Sequence, residues 1–198
     1  MNWENSLLSL AIPHYKKGRT GDVKHIQFHH RRCLELKNEI LQAGIDFETV
    51  IALCLLHDTG YSCVSKKANP FDLRIRKLHS QEGARIAQII LKKTDFPKEK
   101  ISKVTHLILH HDDWAFGKPL DSAEWRVFTD IDFAWMANSK GFDIVRGFLK
   151  QTPKQFLKTL KRFYEEKQEQ FPFFLKKSQQ LYLNDLKQIL VKFKNKPD

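Results

Sequence analysis

Histidines and aspartates near predicted helix ends are the residues of this sequence whose types and spacing could do chemistry. The chain has nine histidines among 198 residues, and several of them flank long polar loops. The candidate ligands are His29, His57, Asp58, His79, His110, His111, Asp130 and Asp132. Mixed imidazole and carboxylate ligands suit zinc, iron, manganese and similar divalent ions. The set exceeds the needs of one tetrahedral ion, and two ions bridged by Asp58 would use the surplus.

The stretch LLHDTGY, residues 55–61, is the most informative part of this set. The apolar run TVIALCLL before it predicts a buried helix, and that helix ends in His57 and Asp58. A carboxylate is unfavourable at the C-terminus of a helix because the helix dipole is negative there. A bound cation beside Asp58 is the simplest compensation.

The pattern of apolar residues predicts an all-α fold that would bring these side chains together. Apolar residues recur at spacings of three and four, and no alternating segment bounded by hairpin turns indicates a strand. The predicted helices cover residues 3–17, 26–43, 47–57, 79–93, 98–111, 121–137, 141–150, 153–169 and 172–194. The irregular stretch 58–77 is long enough to be a functional loop or a lid. In an antiparallel bundle, the helix ends that carry histidine could converge on one pocket.

Composition indicates one globular domain in a reducing compartment. A chain of this length can bury a core without disulfides, and its 41% hydrophobic residues suit a globular protein. The formal charge of +11 favours an anionic partner, although lysines spread over solvated helices give the same total. The three cysteines form no CxxC pair, and no secretory signal or membrane span is predicted. We therefore expect a cytoplasmic location and no membrane partner.

The order of these residues resembles the HD-domain superfamily of metal-dependent phosphohydrolases, whose signature is H…HD…D on a helical bundle. Five segments carry the resemblance, namely HHRRCLEL, ALCLLHDTGY, HSQEGARIA, LILHH and FTDIDFAWM. Together they cover about residues 25–137. The resemblance implies an all-α HD-domain bundle, with residues 141–194 as a C-terminal helical extension of a single domain over 1–198.

The resemblance also implies a ligand set for two divalent ions. It assigns His29, His57, Asp58 and Asp132 to the core of the site and His79, His110 and His111 to a second ion. Asp130 and Asp132 are two residues apart and point to opposite sides of a helix, so one of them binds, and we favour Asp132. His25 lies one turn before His29 and is an alternative site residue. Iron, manganese, magnesium, zinc, cobalt and nickel are not distinguished.

The implied activity is hydrolysis of a nucleotide or another small phosphate ester by metal-activated water. Asp58 would hold the ions, while Arg32 and Lys67 are predicted to contact the phosphate. A small phosphorylated substrate is thus the expected partner. No nucleic-acid recognition motif is present, and the sequence leaves the oligomeric state open.

Two alternatives from other functional classes stay open at this point. Some HD-fold proteins with the set H…HD…H…H…D hold a mixed-valent diiron centre and oxidise C–H bonds with O2, and the step of 21 residues from Asp58 to His79 is compatible with them. The other alternative is a noncatalytic domain that binds nucleic acid through its basic surface.

Overall fold

The computed structural model describes residues 3–194, and every regular element in that range is helical. The α-helices are α1 (Trp3–Lys17), α2 (Asp22–Glu35), α3 (Lys37–Gln42), α4 (Phe47–Leu56), α5 (Leu73–Lys92), α6 (Ile101–Leu109), α7 (Ala123–Trp135), α8 (Ser139–Phe148), α9 (Pro153–Gln170) and α10 (Lys176–Lys194). The all-α prediction is confirmed. Among the described residues, no helix combines the length and the apolar composition needed to cross a membrane.

The helices form two compact units, of which the first ends at Phe128 and the second begins at Thr129, both within α7. In the first unit α4 is the central element, because every residue of this helix except Glu48 is buried. Burying a Leu, Ile or Val side chain contributes about 1.5–3 kcal/mol. Helices α1, α2 and α6 pack against α4. The single domain over residues 1–198 that the sequence predicts stays a prediction.

Capping residues explain where α4 and α5 begin. The Asp46 side chain accepts a hydrogen bond from the Thr49 backbone N–H, which is the usual arrangement at a helix start. Asp72 does the same for Arg74, so α5 begins at Leu73, six residues before the predicted start at position 79. The predicted irregular loop is therefore shorter than its composition suggests.

The predicted helix over 26–43 is two helices, α2 and α3, which are separated at Leu36. The Leu36 N–H is shared between the carbonyl groups of Arg32 and Cys33, each at 3.2 Å. This tighter hydrogen bonding turns the chain at the end of α2. Helix α2 itself starts at Asp22, four residues earlier than predicted.

A short 3-10 segment, Thr59–Cys63, follows the His57-Asp58 pair and packs closely on α5. A methyl group placed at Gly60 would overlap the backbone carbonyl of His79, and one at Gly83 would lie 2.9 Å from the carbonyl oxygen of His57. Both glycines are therefore needed for close backbone approach rather than for an unusual φ angle. This approach places the end of α4 beside His79.

The second unit consists of the rest of α7 with α8, α9 and α10. Its core is aromatic. The ring of Phe142 packs 4.9 Å from Phe156 and stacks 5.2 Å from Phe193. The Tyr182 ring is fully buried and lies 5.1 Å from the ring of Phe133. Aromatic contacts of this kind add to the area that the helices bury.

Candidate metal centre

Asp58 is the centre of a buried cluster of histidines in the first unit. Its Oδ2 atom lies 3.5 Å from Nε2 of His25 and 3.5 Å from Nε2 of His57. Its Oδ1 atom lies 3.4 Å from Nε2 of His79 and 3.7 Å from Nε2 of His111. Each carboxylate oxygen therefore faces a different pair of imidazole rings.

One group of possible ligands comes from α2 and the end of α4. It contains His25, His29 and His57, whose ligand atoms lie within 4.8 Å of one another. Nε2 of His25 is 3.1 Å from Nε2 of His57, and His29 is fully buried. The Phe128 ring lies 4.9 Å from the His57 ring and 5.7 Å from the His29 ring, which makes one side of this group apolar.

The other group comes from the end of α4, from α5 and from the end of α6. Asp58, His79 and His111 place their ligand atoms within 4.8 Å of one another, and all three are buried. Nε2 of His79 is 3.1 Å from Nε2 of His111. Asp112 places Oδ2 3.7 Å from Nε2 of His79 and accepts a hydrogen bond from Arg76 at 2.6 Å.

Backbone carbonyl groups set the orientation of three of these rings. Nδ1 of His57, His79 and His111 lies 3.2, 3.2 and 2.7 Å from the carbonyl oxygens of Cys54, Ile75 and Ile108. A carbonyl oxygen only accepts, so each Nδ1 carries a proton and each ring directs Nε2 toward Asp58, with a lone pair there whenever the ring is neutral. Metal-binding histidines are commonly held in this way.

A cation would stabilise this arrangement of histidine nitrogens around Asp58. Two Nε2 lone pairs 3.1 Å apart repel each other unless a proton or a metal ion lies between them. Burial acts against a charge on His111, but Asp112 and Asp58 outweigh it and raise the pKa of His111 to about 9. Burial lowers the pKa of His79. Imidazole nitrogens together with a carboxylate are a donor set that fits a divalent ion, so these groups could hold one.

Arg19 is the cation closest to Asp58 in this structure. Its Nη2 atom donates to Oδ2 of Asp58 at 2.6 Å, and its Nε atom donates to Oδ1 of Asp22 at 2.9 Å. Burial would raise the pKa of Asp58, yet His57 and Arg19 hold it well below its usual range. Asp58 is therefore ionised and can act as a ligand. By contrast, burial raises the pKa of Asp22.

Tyr61 connects Arg19 to the second group. Its ring stacks on the His79 ring with centroids 4.0 Å apart and an angle of 16°, and the Arg19 guanidinium lies 3.3 Å above the tyrosine centroid. The three side chains form a continuous stack in which Tyr61 limits the rotation of His79. Tyr61, in the 3-10 segment after Asp58, thus positions the candidate metal ligand His79 on α5.

The structure brings together five of the residues predicted from sequence, namely His29, His57, Asp58, His79 and His111. His110 lies outside both groups, with Nδ1 2.7 Å from Oδ2 of Asp113. Arg32 contacts Glu35 at 3.0 Å and the Phe28 ring, and Lys67 is exposed on a turn. Asp132 belongs to the second unit, and its role as a ligand stays a prediction.

Sequence reasoning missed Arg19, Asp22 and Tyr61 and treated His25 only as an alternative. For His25 the signal was the H-x-x-x-H spacing, which places it one turn before His29 on the same face of α2. No local pattern identified Arg19, because the segment GRTGD reads as an ordinary turn. Its contact with Asp58 joins residues 39 positions apart and depends on tertiary packing.

Comparison with known proteins supports the same family that the motifs resemble. The HD domain family matches residues 22–171, which is most of the chain. The comparison with curated proteins finds no match, and the comparison with solved structures finds none either. Since the match covers the histidine-bearing helices, we conclude that the chain belongs to the HD-domain family.

Proposed function

We propose that this protein is a metal-dependent phosphohydrolase that cleaves a small phosphate ester, such as a nucleotide. The observation that carries the proposal is the position of Asp58, whose two carboxylate oxygens face two different pairs of histidine nitrogens. HD domains are mostly metal-dependent hydrolases. A bridging carboxylate between two imidazole groups is suited to a site for two divalent ions.

In this proposal His25, His29 and His57 would hold one divalent ion, His79 and His111 would hold a second, and Asp58 would be a ligand at this site. Divalent ions held there would act as Lewis acids that activate water and neutralise charge on the phosphoryl oxygens. Asp58 is ionised and is therefore available as a ligand, although a metal ion at Oδ2 would have to displace Arg19. The pKa of His111 is raised to about 9, so metal binding through its Nε2 would have to displace a proton.

Two arginines beside the candidate ligands support recognition of a phosphate group better than the pair predicted from sequence. Arg19 contacts Asp58 directly, and Arg76 contacts Asp112, whose other oxygen lies near His79. A guanidinium group offers a planar fork that matches phosphate oxygens. In the proposed reaction these two arginines bind and orient the phosphate, while Arg32 and Lys67 stay untested predictions.

The decisive experiment combines metal analysis with an activity assay on tag-free protein. We expect about two divalent ions per chain and release of phosphate from nucleotides or phosphomonoesters. Asp58→Asn should lose both metal and activity, while Asp95→Asn, on an exposed turn, should keep both. Asp132→Asn tests the remaining predicted ligand.

The assay also separates the alternatives. Protein that binds two irons and consumes O2 without releasing phosphate would contradict hydrolysis and favour the diiron oxygenase. Protein that binds no metal after reconstitution would contradict both enzymatic functions.

A further inference from the structure

A separate cleft lies between α1, the 3-10 segment Thr59–Cys63 and α5 in the first unit. Its volume is about 330 Å³, at the lower end of the range of about 300–1,000 Å³ that is typical of small-molecule sites. Its lining does not include any histidine or aspartate of the candidate metal centre. The cleft is therefore a different site, although α5 contributes residues to both.

The polar part of the lining of this cleft is strongly basic. Its basic lining residues are His14, Lys17, Arg85 and Lys93, and none of the described residues that line it is acidic. Burial lowers the pKa of His14, and the positive charges of Lys17 and Arg85 lower it further. Arg85 also forms an ion pair with Glu82 at 2.9 Å, but this pair is exposed and screened by solvent. Lys17 and Arg85 thus both act on His14, and an anion in the cleft would offset this local excess of positive charge.

The lining also contains apolar residues on both helices. They are Leu10, Ile86, Ile89 and Ile90, of which Leu10 and Ile89 are 37% and 43% exposed. Covering this surface removes apolar area from water, which favours a ligand with an organic body. A bare inorganic ion would leave these apolar side chains exposed.

We infer that this cleft binds a small organic phosphate, with the phosphate against Lys17, Arg85 and Lys93 and the organic body against the apolar lining residues. A phosphate dianion suits three cations better than a carboxylate with one charge does. Arg85 can in addition form the paired hydrogen bonds that guanidinium makes to phosphate oxygens.

The 3-10 segment connects this cleft with the metal centre. The hydroxyl of Ser62 donates to the Thr59 carbonyl at 2.8 Å, so the Nδ1 N–H of His14 donates to the Ser62 oxygen at 3.2 Å. The next residue back, Tyr61, stacks on His79. A ligand in the cleft would thus contact the segment that positions a candidate metal ligand.

Cys63 provides a reporter for occupancy of the cleft. It lines the cleft and is exposed, whereas Cys33 and Cys54 are buried. We would measure its rate of reaction with a thiol-specific dye in full-length protein kept free of metal by EDTA. Saturating 5′-AMP should slow labelling by about tenfold, because only the unliganded fraction reacts.

Two controls test both halves of the inference. Adenosine, which lacks the phosphate, and inorganic phosphate, which lacks the body, should protect Cys63 much less than 5′-AMP. Equal protection by either control would overturn the proposed mode of binding. No protection by 5′-AMP at millimolar concentration would overturn the site itself.

Paired variants locate the ligand. Arg85→Gln with Lys93→Gln should raise the 5′-AMP concentration for half-protection by about tenfold or more. The control, Lys92→Gln with Lys98→Gln, removes the same charge outside the cleft and should change it little. Each variant is compared with its own unliganded rate. An equal shift in both pairs, or loss of protection in Asp58→Asn, would overturn binding in the cleft. Because the protein is free of metal, these results are independent of the phosphohydrolase assay.

Discussion

The two units each contain a buried aspartate with a basic partner, and their surroundings differ. In the second unit, Oδ1 of Asp130 lies 2.9 Å from Nζ of Lys167, and Oδ2 accepts backbone N–H groups from Phe174 at 2.8 Å and Leu175 at 3.3 Å. Burial raises the pKa of Asp130 despite these partners. In the first unit, His57 and Arg19 outweigh burial and lower the pKa of Asp58.

The difference separates a structural ion pair from a candidate binding site. Asp130 has a lysine beside Oδ1 and two backbone N–H donors to Oδ2, so these neighbours offset its charge without a metal ion. Asp58 has Arg19 as a donor, but four histidine nitrogens also face it, and neutral rings would present lone pairs rather than protons. Such an excess of acceptors is useful only where a cation binds.

Removing the cation beside Asp130 should give the largest effect on stability. Lys167→Met leaves a buried carboxylate without its partner, and we expect a loss of about 3–5 kcal/mol in the free energy of unfolding. Urea denaturation measures this loss. Lys161→Met changes an exposed lysine of the same helix, whose side chain is 79% exposed, and should stay within about 0.5 kcal/mol. A small effect of Lys167→Met would mean that Asp130 is not held by this pair.

The sequence predicted the candidate metal ligands better than the basic residues that contact the two buried aspartates. His57 and Asp58 could be identified because they follow directly on the apolar helix α4, whereas His79 lies inside α5 and was placed at its start. The contacts of Arg19 with Asp58 and of Lys167 with Asp130 join residues 39 and 37 positions apart, and no local pattern encodes them. The start of α5 was placed too late because its first residues, LRIRK, follow a loop of similar basic composition.

Forcing the backbone of Gly60 away from that of His79 should have the next largest effect on stability. Gly60→Ala places a methyl group against the His79 carbonyl, and overpacking of this kind costs about 1–3 kcal/mol. We also expect weaker binding of the ion held by His79 and His111, measured by elemental analysis after dialysis. Gly147→Ala is the control, because nothing lies within 4 Å of a methyl group at that position. Full metal content in Gly60→Ala would contradict the proposed role of this close approach.

Removing the cation beside Asp58 should affect metal binding more than stability. In Arg19→Met, the charge on Asp58 is still offset in part by the neighbouring histidines, so the loss of stability should be smaller than in Lys167→Met. Since Arg19 competes with metal for Oδ2 of Asp58, the affinity for a divalent ion should rise by about tenfold. Competition with a fluorescent chelator measures it, and Arg31→Met, at an exposed position, is the control. Weaker binding would show that Arg19 mainly orients Asp58.

Asp46, which is only partly buried, is the reference against which the buried Asp58 and Asp130 can be compared. Asp46 caps α4 through Thr49 and contacts Nζ of Lys100 at 2.8 Å. Burial acts to raise the pKa of Asp46, but Lys100 and Thr49 outweigh it and lower it. Asp46→Ala should therefore cost about 1 kcal/mol at neutral pH, mainly through loss of the cap.

The pH dependence and a second variant divide this small effect into its parts. A lowered pKa means that the charge of Asp46 stabilises the fold above its unfolded pKa of about 4, and that this contribution disappears as the pH falls through the folded value. Urea denaturation at pH 7 and below pH 4 should show the difference between wild type and Asp46→Ala shrinking in acid. Asp46→Asn keeps the cap and loses only the exposed ion pair, which solvent screens, so it should cost less than Asp46→Ala. If Asp46→Asn cost as much as Lys167→Met, burial would not be what distinguishes Asp58 and Asp130 from an aspartate at the surface.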